Sequence, residues 1–251
     1  MRKLNDAEEF LSIIRSSKRA YVFTGAGIST PSGIPDFRGS RGLYKEIPED
    51  IFDIDKFYEN PERYYEFHKK RISKMRNAKP NIAHLVVAKM EELNLICCVI
   101  TQNIDGLHKE AGSRSIIRLH GTLDRYACTK CGEIYSYDFV ENVLWENKEL
   151  PRCMKCGGLL KPDVVFFGEP LPEMELLKAY KIAEESDLAI VIGSSLVVYP
   201  AAIIPRLTVE NGGKLVIINL SETGLDNMAY RKYETDIEEF FKKVAKELGV
   251  K

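Results

Sequence analysis

Short apolar runs alternate with amphipathic stretches along this chain. Residues 20–23, 95–100, 116–119, 188–192 and 214–218 are apolar runs that predict buried strands, and residues 164–167 are expected to be extended. A period of three to four residues predicts helices over residues 6–16, 55–75, 80–92, 105–110, 174–186 and 237–248. Asp6 is the expected N-cap of the first helix. The alternation predicts an α/β fold, with a parallel sheet covered by helices on both faces.

Small or polar residues follow nearly every predicted strand. The strand ends read T-G-A-G, T-Q-N-I-D, H-G-T, G-S-S and N-L-S. Ligands of such folds bind at the carboxyl ends of the strands, so these five ends should converge on one crevice. Turn formation alone explains the glycines and serines, but it explains Gln102, Asn103, Asp105 and His120 poorly.

The longest of these polar segments, residues 24–39, reads T-G-A-G-I-S-T-P-S-G-I-P-D-F-R-G. Gly25 and Gly27 allow a tight turn and a close approach of phosphates, while small residues supply amides and hydroxyls to an anion. Pro31, Gly33 and Pro35 interrupt any regular helix, which places Asp36, Phe37 and Arg38 on an ordered but mobile loop. An ordinary strand-to-turn connection is the alternative, because the third glycine of the usual dinucleotide fingerprint is missing.

Composition narrows the class of protein. The chain has 251 residues, 45% of them hydrophobic and 29% charged, with a net charge of −1. These values are typical of a globular protein and give no basic field for nucleic acid. No apolar run is long enough to span a membrane, and the first ten residues lack the apolar core of a secretory signal. A cytoplasmic monomer is therefore the expectation.

Four of the six cysteines form two C-x2-C pairs, Cys128 with Cys131 and Cys153 with Cys156. Two such pairs about twenty residues apart are typical of a tetrahedral zinc ribbon. Disulfides are the competing interpretation, but they are disfavoured without an export signal. Four sulfur ligands leave no open position, so the predicted zinc is structural. The other two cysteines, Cys97 and Cys98, are expected to be small core residues.

His120 is the candidate general base among the four histidines. It ends a predicted strand and precedes Gly121, so it should face the crevice, where a neutral imidazole can accept a proton from a hydroxyl. His84 and His108 fall on predicted helix faces and are interpreted as structural.

Gln102, Asn103 and Asp105 end the neighbouring predicted strand. An amide can fix a water or a carboxamide, and a buried carboxylate can accept a hydrogen bond from an amide. Capping of the following helix is the alternative for Asn103 or Asp105, although one residue would suffice for that.

At this point the sequence resembles the sirtuins, NAD-dependent protein lysine deacylases. The resemblance spans nearly the whole chain and rests on G-A-G-I-S, P-D-F-R, T-Q-N-I-D, L-H-G, the two cysteine pairs, V-V-F-F-G-E, G-S-S-L-V-V-Y-P and Asn219-Leu220, in that order. It implies a Rossmann-like NAD-binding domain formed by residues 1–38, 78–121 and 163–251. A smaller domain would combine a helical insertion, residues 39–77, with the zinc ribbon, residues 122–162.

The resemblance also implies roles for individual residues. His120 and Asn103 would be catalytic. The cofactor-binding residues on the glycine-rich segment would be Gly25, Ala26, Gly27, Ser29, Thr30, Asp36, Phe37 and Arg38, and those of the nicotinamide and ribose pocket Gln102, Asn103, Ile104, Asp105 and His120. The adenosine side would be held by Gly193, Ser194, Ser195, Asn219, Leu220 and Asp236. An acetylated lysine peptide would add as a strand beside Val164, Val165, Phe166, Gly168, Glu169, Val197 and Tyr199.

By the same resemblance, NAD is consumed as a co-substrate. The acyl-lysine oxygen attacks the nicotinamide ribose as nicotinamide leaves, and His120 then takes a proton from a ribose hydroxyl so that the 2′-oxygen can attack the former carbonyl carbon. Water completes the release of free lysine and O-acetyl-ADP-ribose. Phe37, Ile104, Phe166 and Val197 would line an apolar tunnel for the acyl-lysine. His68 and Arg71 align with the Tyr-x-x-Arg pair of relatives that prefer acidic acyl groups, and because the tyrosine is missing, acetyl or another neutral acyl group is favoured over succinyl. A deacylase for longer or acidic acyl groups is the alternative.

Other functions remain open at this level. A mono-ADP-ribosyltransferase would share the NAD chemistry, and a non-catalytic NAD or chromatin-binding module would share the fold. A hydride-transfer dehydrogenase lacks its usual acidic ribose-binding residue here. Among protein substrates, the family suggests a DNA-packaging protein.

Overall fold

The fold is built on a six-stranded parallel sheet. The computed structural model describes residues 4–37, 39, 42–72, 75–147 and 149–250. Its strands are β1 Ala20–Thr24, β2 Val99–Thr101, β3 Ile116–Arg118, β4 Gly121–Cys128, β5 Ile134–Ser136, β6 Leu160–Val164, β7 Leu188–Ile192, β8 Lys214–Ile218 and β9 Arg231–Tyr233. The large sheet has the order β3-β2-β1-β7-β8-β9 and the small sheet the order β5-β4-β6. The predicted α/β class is confirmed.

Helices cover both faces of the large sheet and form part of the smaller domain. The α-helices are Asp6–Ser16, Ile54–Glu59, Pro61–Phe67, Ile82–Glu92, Leu107–Glu110, Tyr137–Asn142, Glu173–Glu185, Ile203–Glu210 and Ile237–Leu248. Short 3-10 helices span Ala26–Ser32, Leu43–Lys45, Glu49–Phe52 and Asp226–Met228, and π-helical turns span His68–Ile72 and Val143–Asn147. Within the described part of the chain, no helix has both the length and the apolar character needed to cross a bilayer.

The two faces of the large sheet bury separate apolar clusters. Alternate residues of β1 illustrate this division, since Val22 packs with the helices Asp6–Ser16 and Ile237–Leu248, whereas Tyr21 and Phe23 pack with the helices on the opposite face. Both faces of the central strands are therefore apolar, which explains why these strands are continuous hydrophobic runs.

A third apolar cluster joins the ribbon to the helical insertion. Phe57 and Tyr64 from the insertion are buried with Tyr126, Leu160 and Phe166 from β4, β6 and the segment that follows. Ring centroids of Phe57 and Phe166 lie 5.6 Å apart at an angle of 89°, an edge-to-face arrangement. The insertion and the ribbon thus share one core beside the parallel sheet.

Several predicted boundaries were wrong. Asn5, not Asp6, caps the first helix, because its side chain accepts hydrogen bonds from the amides of Ala7 and Glu8. The predicted helix over residues 55–75 is broken at Asn60, which ends one helix and caps the next. The strand predicted over residues 95–100 begins only at Val99, although Cys97 and Cys98 already form backbone hydrogen bonds with Ala20 and Val22 of β1.

The extended stretch predicted over residues 164–167 belongs only partly to a strand. β6 ends at Val164, and Phe167 forms an isolated bridge with Asp53 of the helical insertion. Strand β9 and the helix Ile203–Glu210 were not predicted.

Candidate active site

The first feature of the site is the contact between two glycine-containing loops. The amide of Gly25 donates to Ile192 O at 3.1 Å, and that of Gly27 donates to Gly193 O at 2.8 Å. A Cβ on Gly27 would lie 2.7 Å from the Cα of Gly193, so only glycine allows this approach. The loops follow β1 and β7, where the strand order reverses, and this is where open α/β sheets bind ligands. The 3-10 helix Ala26–Ser32 starts here.

His120 lies between β3 and β4, at the same edge of the sheet. Its Nδ1 lies 2.9 Å from Gln102 O, and because a carbonyl only accepts, Nδ1 carries the proton. The Nε2 of the neutral ring then keeps its lone pair for an incoming proton. Burial lowers the pKa of His120, an effect opposed by the hydrogen bond to Gln102. The ring is therefore a competent base at neutral pH, as the sequence suggested.

Ser29, Asn103 and Asp105 form one hydrogen-bonded network at the ends of β1 and β2. Ser29 Oγ donates to Asp105 Oδ2 at 2.7 Å, and Asn103 Nδ2 donates to Gly25 O at 3.1 Å and to Ser29 Oγ at 3.3 Å. The other carboxylate oxygen of Asp105 accepts the Leu107 amide at 3.0 Å. Leu107 is the first residue of the following helix, but the N-cap of that helix is Gly106 and no side chain caps it, so the capping alternative for Asn103 or Asp105 is not confirmed. Burial raises the pKa of Asp105, which marks an acceptor held in a poorly solvated site.

Two buried histidines pack against the hydroxyl groups of Ser29 and Thr24. His84 Nε2 lies 3.5 Å from Ser29 Oγ, His108 Nε2 lies 2.9 Å from Thr24 Oγ1, and the two rings are 5.0 Å apart. Burial lowers the pKa of His84 to about 4 and that of His108 well below its usual value. The sequence indicated that both lie on helix faces, but it gave no signal that the two helices bring them together under Ser29.

The adenosine-side residues lie on the loops after β7 and β8. Gln102 Nε2 donates to Ser194 Oγ at 2.8 Å, which ties the end of β2 to the end of β7. The amide of Asn219 donates to Tyr233 O at 3.2 Å, and Leu220 is exposed. Asp236, also expected here, uses its carboxylate to cap the helix Ile237–Leu248 by accepting the Glu239 amide at 3.0 Å. Gly193 and Ser195 belong to the first of these loops.

Phe37 lies in the segment that follows Pro35, where the sequence predicted a loop over the crevice. It is half-buried, with its ring centroid 5.3 Å from Tyr44 and 5.9 Å from Phe52 of the smaller domain. Asp36 Oδ1 accepts the amide of Gly39 at 2.7 Å, which folds the segment back on itself. Arg38 lies outside the described residues. Thr30 donates through its hydroxyl to Gly27 O at 3.0 Å.

The segment of residues 164–169, predicted to bind peptide, runs beside His120. The amide of Val165 donates to His120 O at 3.0 Å, and that of Phe167 donates to Phe52 O at 2.7 Å. Phe166 is 1% exposed and its ring lies in the third apolar cluster, together with Ile104 and Phe37. Val197 is 51% exposed and lies outside that cluster. Gly168 and Tyr199 are exposed.

The four cysteines of the ribbon form a metal-binding geometry. Their sulfur atoms all lie within 4.8 Å of one another, with Cys128 and Cys156 sulfurs 3.5 Å apart and Cys131 and Cys153 sulfurs 3.6 Å apart. Such spacing is too long for disulfides and suits four thiolates around one tetrahedral ion. The cluster fits one structural zinc ion, because no ligand position remains for substrate.

Comparisons with known proteins agree with this geometry. The model of the Sir2 family matches residues 25–200. A protein of Thermotoga maritima named NAD-dependent protein deacetylase is 50% identical over 243 residues, covering 97% of this chain and 98% of that protein. A Sir2 variant solved with deacetylated p53 peptide and 3′-O-acetyl ADP-ribose matches with a TM-score of 0.94 at 48% identity, covering 98% of this chain and 100% of that chain. A Sir2 complex with p53 peptide and NAD+ matches with a TM-score of 0.93, at the same identity and coverage. The chain therefore belongs to the Sir2 family, the sirtuins.

Proposed function

We propose that this protein is an NAD-dependent protein lysine deacetylase, which transfers the acetyl group of acetyl-lysine to ADP-ribose and releases nicotinamide. The observation that carries the proposal is the orientation of His120. Its Nδ1 proton is fixed on Gln102 O, which leaves the lone pair of Nε2 to accept a proton, and its backbone oxygen accepts the Val165 amide of the 164–169 segment. The relatives and their complexes with NAD, acetyl-ADP-ribose and peptide support the same reaction.

The residues present can divide the work as follows. NAD supplies a ribose carbon that becomes electrophilic as its bond to nicotinamide breaks. Gly25 and Gly27 allow the close contact between the two loops that would border the pyrophosphate. Asp105 would accept the nicotinamide carboxamide, and Asn103 holds Ser29 and the Gly25 carbonyl in place. His120 takes the proton from a ribose hydroxyl through Nε2.

A neutral acyl group fits this chain better than an acidic one. His68 is fully buried, and its Nε2 contacts Glu141 Oε1 at 2.6 Å while its Nδ1 lies 3.1 Å from the Tyr126 hydroxyl. Arg71 is paired with Glu46 at the surface. His68 is therefore unavailable as one half of a clamp for an acyl carboxylate, and Arg71 would have to leave Glu46 to act as the other half. We propose acetyl as the preferred group.

The direct test mixes protein, NAD and an acetyl-lysine peptide and follows the products by mass spectrometry. We expect one nicotinamide and one O-acetyl-ADP-ribose per deacetylated lysine, and slower turnover with a matched succinyl-lysine peptide. In His120→Ala the turnover number should fall by about 10²- to 10⁴-fold, the usual contribution of a general base.

Reactions without peptide and without NAD are the controls. Nicotinamide release at the full rate without peptide would favour an ADP-ribosyltransferase instead. Deacetylation by His120→Ala at the wild-type rate would show that His120 is not the general base.

Location, assembly and partners belong to the same proposal. None of the six cysteines, all of which the structure describes, forms a disulfide, which fits a reducing compartment, and we propose the cytoplasm. We also propose a monomer that acts on acetylated proteins, with a DNA-packaging protein as one class of substrate.

A further inference from the structure

Lys161 is buried close to the active site, although the mechanism above assigns it no role. The residue is 9% exposed, and lysine is rarely buried unless it is paired. Its Nζ lies 2.8 Å from Glu169 Oε2, 2.7 Å from Val164 O and 3.3 Å from Pro162 O. The same ammonium lies 4.4 Å from the ring centroid of Phe166. Burial lowers the pKa of Lys161, and the Glu169 carboxylate opposes this effect.

All of these contacts except the one to Pro162 O fall on the 164–169 segment. Glu169, the partner of Lys161, accepts the Phe166 amide through Oε2 at 2.8 Å, and its own amide donates to Phe166 O at 3.0 Å. The carboxylate and the ammonium therefore satisfy the inward-facing Val164 carbonyl and Phe166 amide of one extended stretch. Between these two residues, the Val165 amide donates to His120 O at 3.0 Å.

An ion pair in this position is expected to do more than add stability. Buried ion pairs add little net stability over apolar residues of similar size, whereas removing one partner leaves an uncompensated charge. The Glu169 side chain is 27% exposed, so without the ammonium it could turn toward water and release the Phe166 amide. The segment would then lose the backbone shape that it presents beside His120.

We propose that Lys161 is a positioning residue for the acylated peptide, because its ammonium fixes the backbone of residues 164–169 next to His120. The proposal rests on the deacetylase function proposed above. It assigns to Lys161 an effect on peptide recognition and none on NAD recognition, since Lys161 contacts no residue of the glycine loops.

The test uses the zinc-loaded full chain with Lys161→Met, which keeps the length of the stem, and Lys161→Arg, which keeps the charge. Lys155→Met is the matched control, because Lys155 pairs with Glu133 at 3.2 Å on the same ribbon but is 69% exposed. KM is measured separately for NAD and for an acetyl-lysine peptide. Binding of a fluorescent acetyl-lysine peptide is followed by anisotropy.

In Lys161→Met we expect KM for peptide to rise about tenfold and KM for NAD to stay within about twofold. Lys161→Arg should recover most of the peptide affinity, and Lys155→Met should match the wild type. An unchanged peptide KM in Lys161→Met, or an equal rise of both KM values, would overturn the proposal.

If Lys161→Met does not fold, Glu169→Gln serves as the second variant. It removes the charge and retains an acceptor for the Phe166 amide, and it should also raise KM for peptide alone; an unchanged value overturns the proposal. Failure of the proposed function has a different signature, because the wild type itself would then neither bind nor deacetylate the peptide.

Discussion

The free energy of unfolding should depend on pH through His84. This residue is fully buried, and burial lowers its pKa from 6.5 to about 4. A histidine whose pKa is lower in the folded state binds its proton more readily after unfolding. Its contribution to stability is thus complete above about pH 6.5 and is lost as the pH falls through the folded pKa near 4.

The magnitude follows from the difference of about 2.5 pH units between the two states. At about 1.4 kcal/mol per unit, the full contribution is about 3 kcal/mol. Between about pH 7 and about pH 5, the free energy of unfolding should fall by about 2 kcal/mol through His84. This range avoids the lower pH values at which zinc-bound thiolates are protonated.

The assay compares urea unfolding of the wild type and of His84→Gln at these two pH values. Glutamine cannot titrate, so the variant should lose about 2 kcal/mol less than the wild type on acidification, whatever its stability at neutral pH. Carboxylates and zinc ligands titrate in both proteins and cancel in the difference. Met90→Leu alters packing in the same helix without removing a titratable group, and its pH dependence should match that of the wild type. Equal pH dependence in His84→Gln would refute the assignment of a neutral buried imidazole.

Two further outcomes concern the cysteines. Metal analysis should find one zinc per chain, and Cys153→Ser should lose the metal and unfold at lower urea concentration, because zinc binding stabilises small ribbon modules directly; a metal-free variant of unchanged stability would contradict this. In the zinc-loaded protein, iodoacetamide should first label Cys97, whose pKa is lowered to about 7 by hydrogen bonding with Cys98 and by Arg19. Peptide mapping checks this order, and labelling of Cys98 before Cys97 would count against it.

The sequence predicted the parts of the fold in which local pattern and burial agree. Residues 188–192 and 214–218 were predicted to the residue, because both strands are central and apolar on both faces. β9 was missed because it is a short edge strand, Arg-Lys-Tyr, in which only Tyr233 is buried. The helix Ile203–Glu210 was missed because Pro205 suggests a break, yet a proline in the first turn removes no helical hydrogen bond.

In the candidate site, too, local sequence pattern indicated some residues, whereas others become apparent only in the folded chain. The motifs identified His120, Asn103 and Asp105 because they leave parallel strands at one edge of the sheet. Pattern could not show that His84 and His108 meet beneath Ser29, because their helices are adjacent only in the folded chain. The sequence analysis missed Lys161 for a related reason. Within its own strand it resembles any exposed polar residue, and its burial and its ion pair with Glu169 form only when the chain returns at Glu169.

The placement of His120 and the 164–169 segment follows from the way the chain crosses between the two sheets. β3 ends at Arg118 in the parallel sheet, and β4 begins at Gly121 in the small sheet, so His120 lies in the crossing. Gly121 adopts a φ of 79° and pairs with Val164, and a Cβ there would lie 2.0 Å from Asp163 O. Only glycine permits this contact, which brings the outgoing chain at His120 against the returning chain at Val165. The base and the segment proposed to hold the acylated peptide are therefore fixed relative to each other by backbone pairing, before any ligand binds.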